Sequence, residues 1–255
     1  KTVTVTGVDD NIIDGTQTST ITVSIIDGIS DNAFDAVADQ TVSVTTTDDD
    51  VAGFTIAETD GSTSVTEAGS TDLFTVVLNA QPTTDVVLSI SSADTGEATV
   101  TSSLTFTAAN WDTAQTVTVT GVDDDIVDGS VTSTITVAIN DGSSDDNFDA
   151  VADQTVSVTT TDDDVAGFTI AETEGSTGVD ESGSTDLFTI VLDTQPSSDV
   201  VLSITSSDTG EATVESLIQF TSANWDTAQN VTVTGADDGI IDGTQTSTIT
   251  VTVVD

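Results

Sequence analysis

The sequence predicts an all-β fold built from tandem sandwich repeats, and three observations predict it. Apolar residues alternate with Thr, as in Val117 and Val119 or Ile135 and Val137, and no stretch places apolar residues at helical spacing over helical length. The run TVTVTGVDD at Thr2–Asp10 returns letter for letter at Thr116–Asp124, a shift of 114 residues. Short alternating segments are separated by Gln-Pro and Asp-Gly turns at the spacing of a two-sheet Ig-like domain.

The same shift carries Asp48–Phe54 onto Asp162–Phe168 and Asn110–Asp112 onto Asn224–Asp226. Cutting after each Asp triplet gives the C-terminal part of one repeat (1–50), a complete repeat (51–164) and an incomplete third (165–255). The chain opens inside an alternating run and carries no Met, so we expect a piece of a longer array. Arrays of such units form rods.

In the complete repeat the expected strands are Phe54–Ala57, Ser64–Glu67, Leu73–Leu78, Val86–Ile90, Leu104–Phe106, Thr116–Thr120, Thr134–Ile139 and Thr155–Thr159. In Thr116–Thr120 and Thr134–Ile139 the apolar positions define one face, and the opposite face is covered by Thr, whose branched Cβ favours an extended backbone. The single Trp of each repeat, Trp111 and Trp225, is expected to plug the core beneath a loop.

Composition narrows the function. The 255 residues hold 45 Asp plus Glu against one Lys, with no His and no Cys, for a formal net charge of −44. Phosphate recognition needs clustered cations, so nucleic acid and anionic lipid are excluded as partners. Without His or Cys there is no Ser-His triad, no thiolate nucleophile and no nitrogen or sulfur metal site. Paired carboxylates serve glycosidases, but an active site need not recur at every repeat, and no Arg, His or Tyr is present to orient a sugar. The chain is expected not to be an enzyme. Leu, Ile, Val and Phe make up 68 of the 255 residues, above the fraction at which charged chains stay disordered. No apolar run approaches the roughly 18 residues of a membrane span, so no membrane insertion by this segment is expected.

The acidic residues gather where strands are expected to end: Asp9-Asp10, Asp48–Asp50, Asp123–Asp125, Asp162–Asp164 and Asp237-Asp238. Two carboxylates about 5 Å apart repel by roughly 3 kcal/mol at an effective dielectric near 20, so such a pole calls for a cation. Crowded oxygen ligands of flexible geometry select Ca2+ over Mg2+, which keeps its own waters.

These residues carry a resemblance. DDDVAGFTI opening a repeat, Glu67-Ala68-Gly69, the strand end VTGVDDDIVDG and the closing VSVTTTDDD resemble a Calx-beta domain. The segment Asp145–Asp149 is similar to the Calx-beta-like and cadherin-like arrays of giant bacterial surface adhesins. The resemblance implies an Ig-like sandwich with Ca2+ at one pole, held by Glu67, Asp124, Asp128 and the triplet Asp162, Asp163 and Asp164. Glu97 stands one position out of register with a further acidic ligand of the family, and another meets Val131–Ser133 here. Repeat symmetry adds Asp10, Asp14, Asp48, Asp49 and Asp50 in the first repeat, and Glu181, Glu211, Asp238 and Asp242 in the third.

The expected role is that of a Ca2+-stiffened stalk or fibre at the cell surface or outside the cell, with neighbouring repeats of the same polypeptide as partners. Two other readings stand beside it. One is a self-assembling extracellular filament or surface-layer subunit, in which other copies of the chain are partners. The other is a glycan- or ice-binding module using loops or the Thr face.

Overall fold

The structure, a computed structural model, describes residues 1–241 and 243–254. It is all-β, with short 3-10 turns and no longer helix among those residues. The chain divides into two compact units. The first comprises Lys1–Val65, Gly69–Gly121 and Thr132–Thr159; the second comprises Thr66–Ala68, Val122–Val131 and the residues from Thr160 onward.

In the first unit, β1 (Gln17–Val23) and β2 (Gln40–Thr46) form a two-stranded antiparallel sheet in which Ile21 faces Val42 and Val23 faces Gln40. A four-stranded sheet follows, made from β3 (Phe54–Glu58), β5 (Thr71–Leu78), β7 (Ala98–Val100) and β9 (Gln115–Gly121) in the order β3-β5-β9-β7. A five-stranded sheet has the order β4-β11-β10-β6-β8, from β4 (Thr63–Thr66), β6 (Val86–Ser92), β8 (Ser103–Phe106), β10 (Val131–Ile139) and β11 (Gln154–Thr161).

The inward positions of these two sheets make one core. Phe74, Val76, Leu88, Phe106, Val117, Val119, Ile135, Val137 and Val158 have almost no exposed surface, and Trp111 packs against their edge as a plug. Alternation along each strand explains this, since every second side chain points to one face. Between β10 and β11, Asp145 caps a 3-10 turn at Asp146–Phe148, its Oδ1 accepting the Asn147 N–H at 3.0 Å. That turn delivers Phe148 into the core, fully buried.

The second unit repeats the pattern with β12 (Phe168–Glu172), β13 (Thr185–Leu192), β14 (Val200–Ser206), β15 (Ala212–Val214), β16 (Leu217–Phe220), β17 (Gln229–Gly235) and β18 (Ile249–Val253). Its sheets run β12-β13-β17-β15 and β16-β14-β18. Phe188, Ile190, Leu202, Phe220 and Val231 form its core, with Trp225 packed against them.

Two expectations are corrected. A strand at Ala98–Val100 was not foreseen, because three residues are too few to display an alternation. The run Thr2–Gly7 has the letters of β9 yet forms no strand, so Asp9 and Asp10 do not close one. Val117 and Val119 are fully buried because β9 is paired on both sides, by β5 and by β7. Val3 and Val5 are 83 % and 50 % exposed. Cross-strand partners, more than the letters, make this strand.

Candidate metal centre

The centre of interest lies where β4 and β11 end, on residues of the second unit. The Glu67 N–H donates to the Thr161 carbonyl at 3.1 Å, continuing the pairing of the two strands by one step. This fixes Glu67, 1 % exposed, beside the start of the triplet.

Asp162 is held by three backbone donors. Its Oδ2 accepts the N–H groups of Gly129 at 2.7 Å and Asp128 at 3.1 Å, and its Oδ1 accepts the Asp164 N–H at 2.7 Å. The Gly129, Asp164 and Asp128 N–H groups hold the Asp162 carboxyl below the usual carboxylate range. Gly129 has φ +76°, a left-handed turn that glycine adopts without a Cβ penalty, and the turn aims these donors at Asp162.

Asp164 has the opposite environment. Its Oδ2 is buried without a hydrogen-bond partner. Burial first, then the charges of Asp162, Asp125, Asp123 and Asp163, push its carboxyl upward. Glu67, Asp162 and Asp164 each offer one carboxylate oxygen, and these oxygens lie within 4.8 Å of one another. Ligands on one Ca2+ at 2.3–2.6 Å sit at most about 5 Å apart, so the three can share an ion. The donor set, all carboxylate oxygen, fits a hard cation.

The remaining expected ligands are placed as follows. Asp163 is exposed and outside this group of three. Asp124 is half-buried, and its Oδ1 accepts the Ile126 N–H at 2.7 Å, shaping the loop. Asp128 is exposed, with its N–H on Asp162. Glu97 lies in the first unit, 6 % exposed, just before β7.

In the first repeat the same cradle forms. Asp48 Oδ2 accepts the Gly15 N–H at 2.7 Å, and Asp48 Oδ1 accepts the Asp50 N–H at 2.9 Å. Hydrogen bonds from Asp50 and Gly15 lower the Asp48 carboxyl, while burial and then the charges of Asp48, Asp49, Asp9 and Asp10 raise that of Asp50. Asp9, Asp10, Asp14 and the triplet border a cavity of about 300 Å3. In the third repeat Glu181 and Asp238 are exposed and Glu211 is half-buried. Asp242 lies outside the described residues.

Sequence reasoning treated the triplet as three equivalent ligands and missed the division of labour within it. The readable signal was the Asp-Gly pair at Asp14-Gly15 and Asp128-Gly129, which recurs at the same distance before each triplet. Asp145 is a second omission. It is 4 % exposed, and its Oδ2 accepts the Thr83 N–H at 2.6 Å, the Thr83 hydroxyl at 2.7 Å and the Thr84 N–H at 3.0 Å. Burial raises its carboxyl, but bonds from the Thr83 hydroxyl and from the Asn147, Thr84 and Thr83 N–H groups outweigh that and lower it. It anchors a turn.

No family model matches the chain, and no curated protein matches it. Among solved structures it is similar to domains 4 and 5 of the S-layer protein SbsC, with 21 % identity over 57 % of this chain and a TM-score of 0.34. The chain spans 58 % of that structure. The apo-form Calx CBD1 domain shares 18 % identity over 44 % of this chain and 98 % of its own, with a TM-score of 0.32. The calcium binding domain CBD12 of CALX1.1 shares 15 % over 72 % of this chain and 76 % of its own, with a TM-score of 0.33.

Proposed function

We propose that this chain is a structural repeat segment whose sandwich units bind Ca2+ at the pole of Glu67, Asp162 and Asp164, as part of an extracellular stalk or fibre. The observation that carries the reading is the buried Asp164 Oδ2, without a hydrogen-bond partner, in a group of three carboxylates within 4.8 Å. A carboxylate oxygen withdrawn from water without a donor is costly, and a bound cation removes that cost along with the repulsion from Asp162. Asp162, already fixed by three N–H groups, supplies a preformed ligand.

The ion joins the end of β11 to the end of β4 and to the loop carrying Asp128 and Gly129, so it stiffens the pole where the chain passes from one repeat to the next. Asp48–Asp50 repeats the arrangement. Asp163, Asp124, Asp128 and Glu97 belong to the proposed ligand environment, with Asp10, Asp14, Glu181, Glu211, Asp238 and Asp242 as their counterparts in the other repeats. Extracellular Ca2+ modules bind at about 10⁻⁴ to 10⁻³ M, far above cytosolic calcium, which supports a site filled permanently outside the cell. The charge of −44, with a single Lys, suits an exposed fibre that stays soluble and offers trypsin-like proteases almost no cleavage site. No described helix is long and apolar enough to cross a membrane.

Small-angle scattering with millimolar Ca2+ and again with chelator tests the reading. A flexible chain that becomes a stiff rod on adding Ca2+ supports it; profiles that superimpose contradict it.

A further inference from the structure

In the first unit the loop of residues 9–15 lies against residues of the following repeat, all of them within that unit. The Gln81 N–H donates to the Asn11 carbonyl at 2.7 Å, and Ile12 and Gln81 form an isolated parallel bridge. Nearby, Asn147 Nδ2 donates to the Ile13 carbonyl at 3.0 Å. The Ile13 side chain, half-buried, packs against the core that holds Phe148 and Leu88.

The surface that meets the loop is held from behind. Gln81 Nε2 donates to the Ala108 carbonyl at 2.8 Å, which clamps the turn to its own repeat and leaves the backbone N–H for the loop. Pro82, next in the chain, is buried and has a fixed φ. Asp145 then joins the two halves of the surface. Its Oδ2 accepts the Thr83 and Thr84 N–H groups, immediately after Gln81 and Pro82, and its Oδ1 accepts the Asn147 N–H. One buried carboxylate therefore sets the spacing between the N–H that meets Asn11 and the side-chain amide that meets Ile13.

The bridge recurs in the second unit. There the Gln195 N–H donates to the Asp125 carbonyl at 2.6 Å, Ile126 and Gln195 form the parallel bridge, and Gln195 Nε2 donates to the Ser222 carbonyl at 3.4 Å. Asn11 and Asp125 differ in side chain, but the turn reads only their carbonyls. Val127, in the place of Ile13, stays 44 % exposed, so the backbone bridge is the common element and the apolar contact an addition.

We propose that the Gln81-Pro82 turn and the Asn147 amide form a docking seat for the loop of the preceding repeat, with Asp145 as its positioning residue. Consecutive repeats are then joined twice, once through the chain and once through the seat, and the second contact restrains the hinge that a single link leaves. The seat is neutral, made of backbone, amide and aliphatic groups, which suits a joint between surfaces crowded with carboxylates that would otherwise repel. The same loop carries Gly15, whose N–H is on Asp48, so a cation at that pole holds the loop toward the seat. That coupling rests on the Ca2+ reading, whereas the seat does not.

Amide hydrogen exchange followed by NMR on the full 255-residue chain tests the proposal, in millimolar Ca2+ and in chelator. The Gln81 and Gln195 N–H groups are expected to be protected in Ca2+ and, to a lesser degree, in chelator. Asn147→Ala removes one donor from an exposed side chain and is expected to speed Gln81 exchange about fivefold, the worth of one hydrogen bond, while Val117 and Val119 in β9 keep their rates. Ile13→Ser is expected to act in the same selective way. Asp145→Ala is expected to speed Gln81 more than Val117 or Val119, which a loss of stability spread over the unit does not do. A Gln81 amide that exchanges in both buffers as fast as an unstructured one overturns the proposal. So do Asn147→Ala and Ile13→Ser chains whose Gln81 rate equals that of the wild type. Selective effects of the variants, with equal rates in Ca2+ and chelator, support the seat while removing the cation's part in it.

Discussion

The Asp164 backbone N–H donates to Asp162 Oδ1 at 2.7 Å, and the carboxylates of the two residues so joined are driven in opposite directions. Asp162 collects three backbone donors and is held below the usual range; the Oδ2 of Asp164 is buried with none, and its carboxyl is pushed above. One acid is satisfied by the fold, while the other has a buried oxygen without a donor.

This asymmetry gives a prediction with a crossing sign. Asp164→Asn removes a repelled, partly desolvated charge, so in chelator it raises the melting temperature of the unit that contains it. In millimolar Ca2+ it loses the stabilisation the ion provides, so its melting temperature falls below that of the wild type. Asp162→Asn lowers the melting temperature in both buffers, because it weakens three charge-assisted hydrogen bonds. Scanning calorimetry on the three proteins checks the order.

Gly129→Ala isolates the loop. A Cβ there meets nothing within 4 Å, so the cost comes from the backbone alone, at φ +76°. About 1–2 kcal/mol is expected in chelator, together with weaker Ca2+ binding as the donors to Asp162 shift. Urea melts and a Ca2+ titration of the same variant measure the two effects.

Phe148 and Phe34 are repeat counterparts with different surroundings. Phe148→Ala empties a fully buried site and is expected to cost about 3–5 kcal/mol. Phe34, 54 % exposed, is expected to tolerate the same change within about 0.5 kcal/mol in dilute protein. Chemical denaturation of each variant checks the contrast.

Asp145 supplies the pH dependence. Its folded carboxyl lies below the ordinary aspartate value, so its contribution is fully present above that ordinary value and is lost as pH falls through its lowered folded value. Asp145→Ala abolishes this acid loss and costs about 2 kcal/mol near neutral pH, leaving the Thr83, Thr84 and Asn147 donors without their acceptor. Melts between pH 2 and 7 on both proteins show whether the acid limb disappears.

Much of the fold was legible because each paired strand wears its alternation openly: Val86–Ser92 and Gln115–Gly121 bury every second residue. What the letters could not show is pairing. Thr2–Gly7 and β9 share a sequence, but only β9 has β5 and β7 beside it, and amide exchange should be slow in Thr116–Thr120 and fast in Thr2–Thr6. The site was legible as clustered acid and illegible as geometry. Glu67 is buried and its counterpart Glu181 exposed, although both follow similar sequence, because burial of Glu67 depends on the neighbouring ends of β4 and β11. Nor could three consecutive Asp residues reveal which would be held by N–H groups and which left without a donor.

The central claim is tested most directly by calorimetric Ca2+ titration of the whole chain against the Glu67→Gln, Asp164→Asn double variant. The account predicts that the wild type binds Ca2+ with a dissociation constant of about 10⁻⁴ to 10⁻³ M and that the variant binds at least one ion fewer per chain. A variant that takes up Ca2+ with the same stoichiometry and affinity as the wild type would contradict it, and the acidic pole would then be no more than solvated charge.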